Sequence, residues 1–378
     1  MRHTLADVLP SVAVALDQPA GDRTDLLDVT PARDVVVLLI DGLGAELLRR
    51  NADVAPTLAA HLRQTIDAGF PATTATSLSS LAIGAPCATH GIIGYSFAVP
   101  GADGPENFNA LRWRTGDAEG ADARRSHPPE EFQQVPSAVE RLAAAGIDVH
   151  YVVPGYQIRS GLTRASFRAA GELHAADSLD TVRDGILAVA RHDGPTRRFA
   201  YAYFPDLDMN GHLFGPESAE WLAVLAAVDG VVADLFTDLP ETCTLVITGD
   251  HGMIRAGTAV DLDADPELRR GVRLIAGEAR VRHVYAAPEA AADVAARWSA
   301  RLGAHAQVVT REQALDEHWF GRTPPTPVIR QRIGDVIAVA QGTSVLTCPA
   351  REPMESKLVG HHGAWTDDEQ SVPLIANR

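Results

Sequence analysis

The sequence predicts an α/β fold in which a mostly parallel sheet is sandwiched by helices. Short apolar runs, rich in β-branched and aromatic residues, alternate along the chain with helix-length amphipathic segments. Each run stops at Gly, Pro or Asp, which is typical of buried strands. Strand, helix and strand in succession favour parallel pairing. With 378 residues, the chain is long enough for one large domain with an insertion or for two average domains.

The first two thirds of the chain contain the predicted core elements. The strands are expected at residues 35–40, 149–153, 199–204 and 245–248, and the helices at 137–145, 178–191 and 218–235. Each helical segment has a serine at its start, and serine is a preferred N-cap residue. We therefore expect these three helices to begin at their serines.

The pattern changes between residues 254 and 347. Strand-like runs at 281–286, 307–310 and 335–340 surround an Ala-rich helical segment at 288–302. This predicts a small α+β cap inserted into the core, with residues 1–254 and 346–378 forming the α/β core and residues 255–345 the cap. A Gly- and Pro-rich stretch at 100–136 is expected to be a long surface excursion.

Composition excludes several kinds of partner. The chain has 33 Lys and Arg against 49 Asp and Glu, a formal net charge of −16, which does not favour binding to a nucleic acid polymer. No apolar run approaches the roughly 20 residues that span a bilayer. The three cysteines lie far apart without CxxC spacing. We therefore expect a cytoplasmic protein with reduced thiols and no membrane partner.

Metal-ligating side chains follow the ends of three predicted strands and recur near the C-terminus. They are Asp41, Asp206, Asp208, His212, Asp250, His251, His361 and His362. In open parallel sheets the ligand site lies beyond the carboxyl ends of the strands. Asp208 and His212 are four residues apart, a spacing that can bring a carboxylate and an imidazole to one metal. Three Asp and three His at one sheet edge are enough for two zinc-like sites.

A hydroxyl-rich segment at residues 70–77 precedes a helix-length segment at 78–84. A hydroxyl at a helix start faces free backbone N–H groups and the positive end of the helix dipole, which suits an incoming phosphate. Spacing alone does not choose among the hydroxyls of this cluster.

Taken in order, these motifs resemble the alkaline phosphatase superfamily, and within it the nucleotide pyrophosphatase/phosphodiesterase (type I phosphodiesterase) branch. The resemblance rests on Leu-Ile-Asp-Gly ending at Gly42, Pro71-Ala72-Thr73-Thr74, Gly84 through Thr89-His90-Gly91-Ile92, Asp208 with His212 and Gly215-Pro216, Thr248-Gly249-Asp250-His251-Gly252-Met253, and His362-Gly363. The motifs occur in the family's order and span nearly the whole chain outside the cap. The resemblance implies an alkaline-phosphatase-like sheet sandwiched by helices, with the small cap inserted.

The resemblance also implies a catalytic nucleophile, Thr74, and a site for two Zn²⁺ ions per chain, in which another divalent metal is possible. One ion would be held by Asp208, His212 and His362, and the other by Asp41, Thr74, Asp250 and His251. His362 is preferred to His361 because the family's ligand histidine directly precedes glycine. Attack by Thr74 would form a phosphothreonine intermediate, which water then hydrolyses.

The sequence departs from the family beside the nucleophile. Members with nucleotide activity show Pro-Asn-His shortly after it, whereas Thr76 and Ser77 occupy the Pro-Asn positions here. The Ser77 hydroxyl can donate one hydrogen bond to a substrate phosphate. Tyr156 and Trp113 are possible stacking partners for a base or aryl group, and a cap arginine, Arg280 or Arg282, could reach the pocket.

The predicted function is a metal-dependent hydrolase that cleaves phosphodiester or pyrophosphate bonds, with a small-molecule phosphate ester or nucleotide as substrate. The alternatives are a phosphonate hydrolase similar to phosphonoacetate hydrolases, a phosphomonoesterase, and an inactive metal-binding relative. The sequence leaves open the physiological substrate, the native metal and the oligomeric state.

Overall fold

The computed structural model describes residues 3–20, 25–116, 120–192 and 194–378. The strands within these ranges are β1 (Asp34–Ile40), β2 (Leu62–Asp67), β3 (Ser96–Gly101), β4 (Gly104–Asn109), β5 (Arg114–Thr115), β6 (Ala121–Asp122), β7 (Asp148–Val153), β8 (Glu172–Ala175), β9 (Arg198–Phe204), β10 (Cys243–Thr248), β11 (Ile254–Arg255), β12 (Ala259–Asp261), β13 (Val272–Glu278), β14 (Val281–Ala286), β15 (Ala306–Thr310), β16 (Val336–Ala340), β17 (Val345–Thr347), β18 (Gly360–His361) and β19 (Ser371–Ala376).

The helices of the same ranges are α1 (Val8–Ala15), α2 (Ala45–Arg50), α3 (Pro56–Ala60), α4 (Thr74–Ile83), α5 (Cys87–His90), α6 (Pro129–Phe132), α7 (Ala138–Ala144), α8 (Gly161–Ser166), α9 (Leu179–Ala190), α10 (Asp206–Phe214), α11 (Ala219–Asp238), α12 (Ala291–Leu302), α13 (Arg311–Asp316), α14 (Pro327–Arg332) and α15 (Asp367–Gln370). No helix of this described part is long and apolar enough to cross a membrane.

The largest sheet of the described residues has seven strands in the order β2-β19-β10-β1-β9-β7-β8. Strand β1 pairs in parallel with both β9 and β10, and β7 pairs in parallel with β8 and β9. Strand β19 is antiparallel to both of its neighbours. The prediction of a mostly parallel α/β sheet is confirmed.

Two hydrophobic clusters cover the two faces of this sheet. Alternate residues of β1 join different clusters: Val35 and Val37 pack in one, and Val36 and Leu38 in the other. Successive side chains of a strand point to opposite faces, so both faces of β1 are buried. The helices therefore sandwich the sheet, as expected from the continuous apolar runs.

The core elements lie where the sequence predicts them. Strands β1, β7, β9 and β10 each contain the predicted run, extended by one or two residues. Helices α7, α9 and α11 begin directly after Ser137, Ser178 and Ser218, and each serine hydroxyl accepts a hydrogen bond from the backbone N–H three residues on. Each serine therefore acts as the N-cap, which defines the start of the helix.

A second sheet, with strand order β13-β14-β16-β15, is antiparallel throughout and has its own hydrophobic cluster with α12. The predicted strands at 281–286, 307–310 and 335–340 correspond to β14, β15 and β16. Helix α12 begins at Ala291 rather than at residue 288, because Glu289 has a left-handed backbone with φ of 65°. The division into a core and a cap of residues 255–345 stays a prediction.

The stretch at 100–136 is not a surface excursion throughout, and that expectation was wrong for its aromatic part. Strand β3 ends at Gly101 and forms a hairpin with β4 at the start of this stretch, and residues 117–119 lie outside the described residues. Phe108 and Trp113 are fully buried and pack with Phe132. Aromatic side chains at these positions bury enough apolar area to hold a Gly- and Pro-rich segment against the core.

Candidate active site

The carboxyl ends of the neighbouring strands β10, β1 and β9 place the predicted ligands at one edge of the sheet. Asp41 directly follows β1, and Asp250 and His251 follow β10. Helix α10 starts two residues after β9 and carries Asp208 and His212 on successive turns. The loop after β18 brings His362 to the same edge, where its ring stacks on that of His251 at 3.5 Å between centroids.

One group of side chains surrounds the Nε2 atom of His251. This atom lies 3.2 Å from the Thr74 hydroxyl oxygen, 3.3 Å from Asp250 Oδ2 and 3.5 Å from Asp41 Oδ1. The structure therefore brings together the four residues predicted for one metal ion.

A second group surrounds the Nε2 atom of His212. This atom lies 3.3 Å from His362 Nε2 and 3.3 Å from Asp208 Oδ2, and His362 Nε2 is 4.0 Å from Asp208 Oδ1. These are the three residues predicted for the other ion. His361 also lines the cavity but is not among these ligand atoms, because its Nε2 atom lies 3.1 Å from the Leu358 carbonyl.

The three site histidines share one tautomer. The Nδ1 atoms of His251, His362 and His212 donate to the carbonyl oxygens of Gly252, Ala72 and Gly360 at 2.8–2.9 Å. Each Nε2 atom therefore presents a lone pair to the centre of the site. Two such lone pairs at 3.3 Å repel each other unless a cation lies between them.

The acidic side chains of the two groups also indicate bound cations. Burial, followed by the charges of Asp250 and Asp208, raises the pKa of Asp41 well above its usual range, and burial also raises the pKa of Asp250. In the described structure Asp41 Oδ1, Asp208 Oδ1 and Asp250 Oδ2 have no hydrogen-bond partner. Burying unpaired carboxylate oxygens is costly unless a metal ion compensates their charge.

The separations also fit zinc. Tetrahedral ligands at about 2.0–2.1 Å from the ion lie about 3.3 Å from one another. The separations around His251 Nε2 and from His212 Nε2 are 3.2–3.5 Å, and His362 Nε2 and Asp208 Oδ1 are 4.0 Å apart. Imidazole nitrogen and carboxylate oxygen are both common zinc ligands. The residues present therefore fit two zinc-class ions.

Thr74 is the first residue of α4, so this helix begins four residues before the helical segment predicted at 78–84. The N–H of Ser77 donates to the Thr73 carbonyl, and helix geometry leaves the preceding N–H groups without intrahelical partners. Thr73 does not cap the helix, because its hydroxyl donates instead to Glu278 Oε2 at 2.9 Å. The first turn of α4 is therefore a suitable place for an anion.

A cavity of about 660 Å³ opens beside the two groups. Its walls include Asp41, Thr74, Asp208, His212 and His362 together with Leu78, Tyr95, Leu111, Arg112, Arg114, Tyr156, Leu162, Phe167 and Glu278. Tyr156 lines this cavity and is 68% exposed, whereas Ser77 is fully buried and is not part of the wall. Contact of either residue with a substrate stays a prediction.

Three of the expected cavity contacts were wrong. Trp113 is buried in the aromatic cluster, where its indole N–H donates to the His127 carbonyl. Arg280 is paired with Glu369 and Arg282 with Glu352, both by two hydrogen bonds, so neither guanidinium reaches the cavity. The arginines on the cavity wall are Arg112 and Arg114 instead.

Sequence reasoning missed two further residues. The Tyr203 hydroxyl donates a hydrogen bond to Asp41 Oδ2, and Glu278 at the end of β13 accepts one from the threonine before Thr74. Burial raises the pKa of the Glu278 carboxyl to about 8. Tyr203 could have been found as an inward-facing tyrosine at the end of β9, whereas Glu278 carries no local signal.

We expect Tyr203→Phe to weaken metal binding at the Asp41 group about tenfold to a hundredfold, because Asp41 loses the donor that orients it. Tyr201→Phe is the matched control, since this hydroxyl lies two residues earlier in β9 and has no hydrogen-bond partner within the described ranges. A competitive zinc titration of both variants measures the difference. Equal affinities in the two variants would show that Tyr203 does not position Asp41.

Comparison with known proteins gives both sequence and structural relatives. Residues 35–365 match the family described as type I phosphodiesterase / nucleotide pyrophosphatase. The chain is 31% identical over 140 residues to the catalytic subunit of GPI ethanolamine phosphate transferase 3 from Mus musculus, covering 36% of this chain and 12% of that protein. It is 25% identical over 240 residues to an uncharacterized pyrophosphatase/phosphodiesterase from Schizosaccharomyces pombe, a match that covers 58% of this chain and 44% of that protein. The matches therefore span less than half of either curated relative.

Two solved structures have the same fold at low identity. Murine ectonucleotide pyrophosphatase/phosphodiesterase 5, in an inactive threonine-to-alanine variant in complex with AMP, superposes with a TM-score of 0.67 at 16% identity, covering 90% of this chain and 87% of that one. Phosphonoacetate hydrolase from Sinorhizobium meliloti 1021, in complex with phosphonoacetate, superposes with a TM-score of 0.67 at 18% identity. This match covers 94% of this chain and 92% of that one.

The family match runs from the second residue of β1 to a point three residues beyond His362, so it includes all of the motifs on which the resemblance rests. The fold of the solved structures agrees with it over nine tenths of the chain. The chain therefore belongs to the type I phosphodiesterase / nucleotide pyrophosphatase family of hydrolases.

Proposed function

We propose that this protein is a metal-dependent hydrolase that cleaves phosphodiester or pyrophosphate bonds of small-molecule phosphate esters through a phosphothreonine intermediate. The observation that supports this most is the convergence of three imidazole lone pairs and three buried, unpaired carboxylate oxygens beside the Thr74 hydroxyl. A structural role does not need this set of groups around a helix start, whereas phosphoryl transfer does.

Two zinc-class ions complete the proposed site. Asp208, His212 and His362 would hold one ion, and Asp41, Thr74, Asp250 and His251 would hold the other. When bound, the ions supply positive charge that favours the threonine alkoxide and stabilises the phosphate and leaving-group oxygens.

The residues of the chain then perform two displacements. The Thr74 oxygen attacks phosphorus in line, a bond from threonine to phosphorus forms, and the bond to the leaving group breaks. The N–H groups of the first turn of α4 bind phosphate oxygens during this step. Water next attacks the phosphothreonine and releases Thr74 and the product phosphate, so two in-line steps give net retention at phosphorus.

The cavity suits a leaving group of nucleotide or aryl size. Its volume of about 660 Å³ lies within the range of small-molecule sites, roughly 300–1,000 Å³. Tyr95 and Tyr156 offer aromatic surface, and the Leu111 and Phe167 side chains add apolar wall. AMP in the murine structural relative is a ligand of this class.

A phosphonate hydrolase is the second candidate, and the two cavity arginines favour it. Arg112 and Arg114 lie on the wall of the cavity that holds Thr74, where Arg112 is 3.5 Å from Glu355 Oε1 in an exposed pair and Arg114 donates to the Gly120 carbonyl. A substrate carboxylate would compete with these partners, because guanidinium groups pair well with carboxylates. A phosphonate that carries a carboxylate, as in the Sinorhizobium structural relative, would use such a contact.

We expect diesters to exceed monoesters in kcat/KM by roughly a hundredfold. A monoester carries one more negative charge than a diester. In the described structure the side chains that contact the two metal-ligand groups are Asp, His, Thr and Tyr, so no Lys or Arg side chain compensates that extra charge there. Turnover of bis(p-nitrophenyl) phosphate, p-nitrophenyl phosphate and phosphonoacetate with added zinc tests this. A monoester kcat/KM equal to that of the diester would indicate a phosphomonoesterase, and preferred cleavage of phosphonoacetate a phosphonate hydrolase.

A further inference from the structure

A second cluster of metal-ligating side chains lies on β7 and β8, at one edge of the central sheet, and shares no residue with the active site. Residues Asp148 and His150 come from β7, and Glu172 and His174 from β8. The strands are parallel, with His150 opposite Glu172 and Val152 opposite His174. Because residues two apart share a face of a strand, these four side chains all project from the same face of the sheet.

The ligand atoms of this cluster converge. His150 Nδ1 lies 3.2 Å from His174 Nε2 and 3.7 Å from Glu172 Oε2, and His174 Nε2 lies 3.8 Å from Glu172 Oε1. One oxygen and two nitrogen atoms, one from each side chain, lie within 4.8 Å of one another. The nitrogen pair is already at the separation of about 3.3 Å expected for tetrahedral zinc ligands.

His150 is held in the orientation that a metal ligand needs. Its side chain is 2% exposed, and its Nε2 atom lies 3.1 Å from Asp148 Oδ2. Because a carboxylate only accepts, Nε2 carries the hydrogen and Nδ1 presents its lone pair to His174. Histidines that bind zinc commonly donate a hydrogen bond from their other ring nitrogen to such a carboxylate. Arg198 lies 3.4 Å from the same Asp148 oxygen and helps to fix it.

We propose that His150 Nδ1, His174 Nε2 and a Glu172 carboxylate oxygen bind a zinc-class divalent cation, separate from the two ions of the active site. Two imidazoles and one carboxylate are an established zinc ligand set. Glu172 is 66% exposed, so its side chain can move and shorten the distances of 3.7 and 3.8 Å to the two histidine nitrogens. The exposed side of the cluster leaves room for water as a fourth ligand. Within the described residues β8 pairs with β7 and with no other strand, so the bound ion would stabilise the attachment of this edge strand to the sheet.

The competing explanation is a plain hydrogen bond in which His174 Nε2–H donates to His150 Nδ1. Zinc titration and hydrogen–deuterium exchange of the full chain distinguish the two. Wild-type protein stripped of metal should bind three zinc ions, and the third should slow amide exchange in residues 172–175 at least tenfold. In His174→Ala only two ions should bind and exchange in β8 should not respond to zinc.

Two further variants keep the test decisive. Glu172→Gln keeps the strand intact and should weaken the third site at least tenfold, in line with the loss of one ligand, while diester hydrolysis stays at the wild-type rate. His305→Ala, which removes an exposed histidine directly before β15, should bind three ions like the wild type. If wild type, Glu172→Gln and His174→Ala all bind the same number of ions with the same affinities, the cluster is only a hydrogen-bonded pair and the proposal fails.

Discussion

Replacement of Thr74 by alanine is expected to lower kcat for a chromogenic phosphodiester by roughly 10⁴-fold or more, because the hydroxyl is the attacking group and no neighbouring oxygen replaces it. Alanine is well tolerated in a helix, so α4 should remain folded. Asp41, Asp250 and His251 remain in place, and metal content should therefore stay close to that of the wild type. Steady-state turnover and metal analysis of the same preparation check both parts.

Two neighbouring threonines serve as matched controls. Thr76 is buried in the same helical turn with no partner for its hydroxyl in the described structure, and the Thr73 hydroxyl donates to Glu278 rather than facing the metal ligands. Alanine at either position should cost far less than Thr74→Ala. If Thr74→Ala kept more than about a hundredth of the wild-type rate, the loss would be that expected for removal of an auxiliary group. The nucleophile would then have to be another residue.

Asp250→Ala and His362→Ala are each expected to remove most of the bound metal from one half of the site and to lower diester turnover at least a hundredfold. Each variant deletes one ligand from a different ion and leaves the remaining lone pairs facing one another. Asp250 also accepts hydrogen bonds from the N–H groups of Gly42 and His251, so its loss loosens the turn after β1. Metal analysis after dialysis measures occupancy.

His361→Ala is the matched control for His362→Ala. The two histidines are adjacent, but His361 lies against the Leu358 carbonyl rather than among the ligand atoms. Its replacement should leave occupancy unchanged. Full metal occupancy in both Asp250→Ala and His362→Ala would exclude the assigned ligand sets.

The strands of the central sheet that could be predicted are those that are apolar and buried on both faces. Strands β2 and β8 were missed because they lie at the sheet edges, where their half-exposed residues show no apolar run. Strand β19 was missed because Pro373 interrupts it, and a proline inside a run argues against a strand. The long stretch before Pro136 was misjudged because glycine and proline content says nothing about the aromatic side chains that anchor it.

The site could be predicted where a ligand directly follows a strand, because chain topology alone carries such residues to one edge of the sheet. Asp41, Asp250 and His251 are of this kind. Glu278 meets Thr73 across 205 residues of sequence, through the packing of the second sheet on the core, and no local pattern encodes that contact. Arg112 reaches the cavity from the turn between β4 and β5, and no local pattern encodes that position either.

The most direct test of the proposed two-metal phosphoester chemistry is diester turnover measured against the number of bound zinc ions. We would use the His174→Ala background, so that zinc bound at the β7–β8 cluster does not enter the count. Metal-stripped protein should be inactive, and activity should rise on zinc addition and reach a plateau at close to two ions per chain. Full activity in a metal-free preparation, or two bound ions without turnover of any diester, would contradict the proposed function.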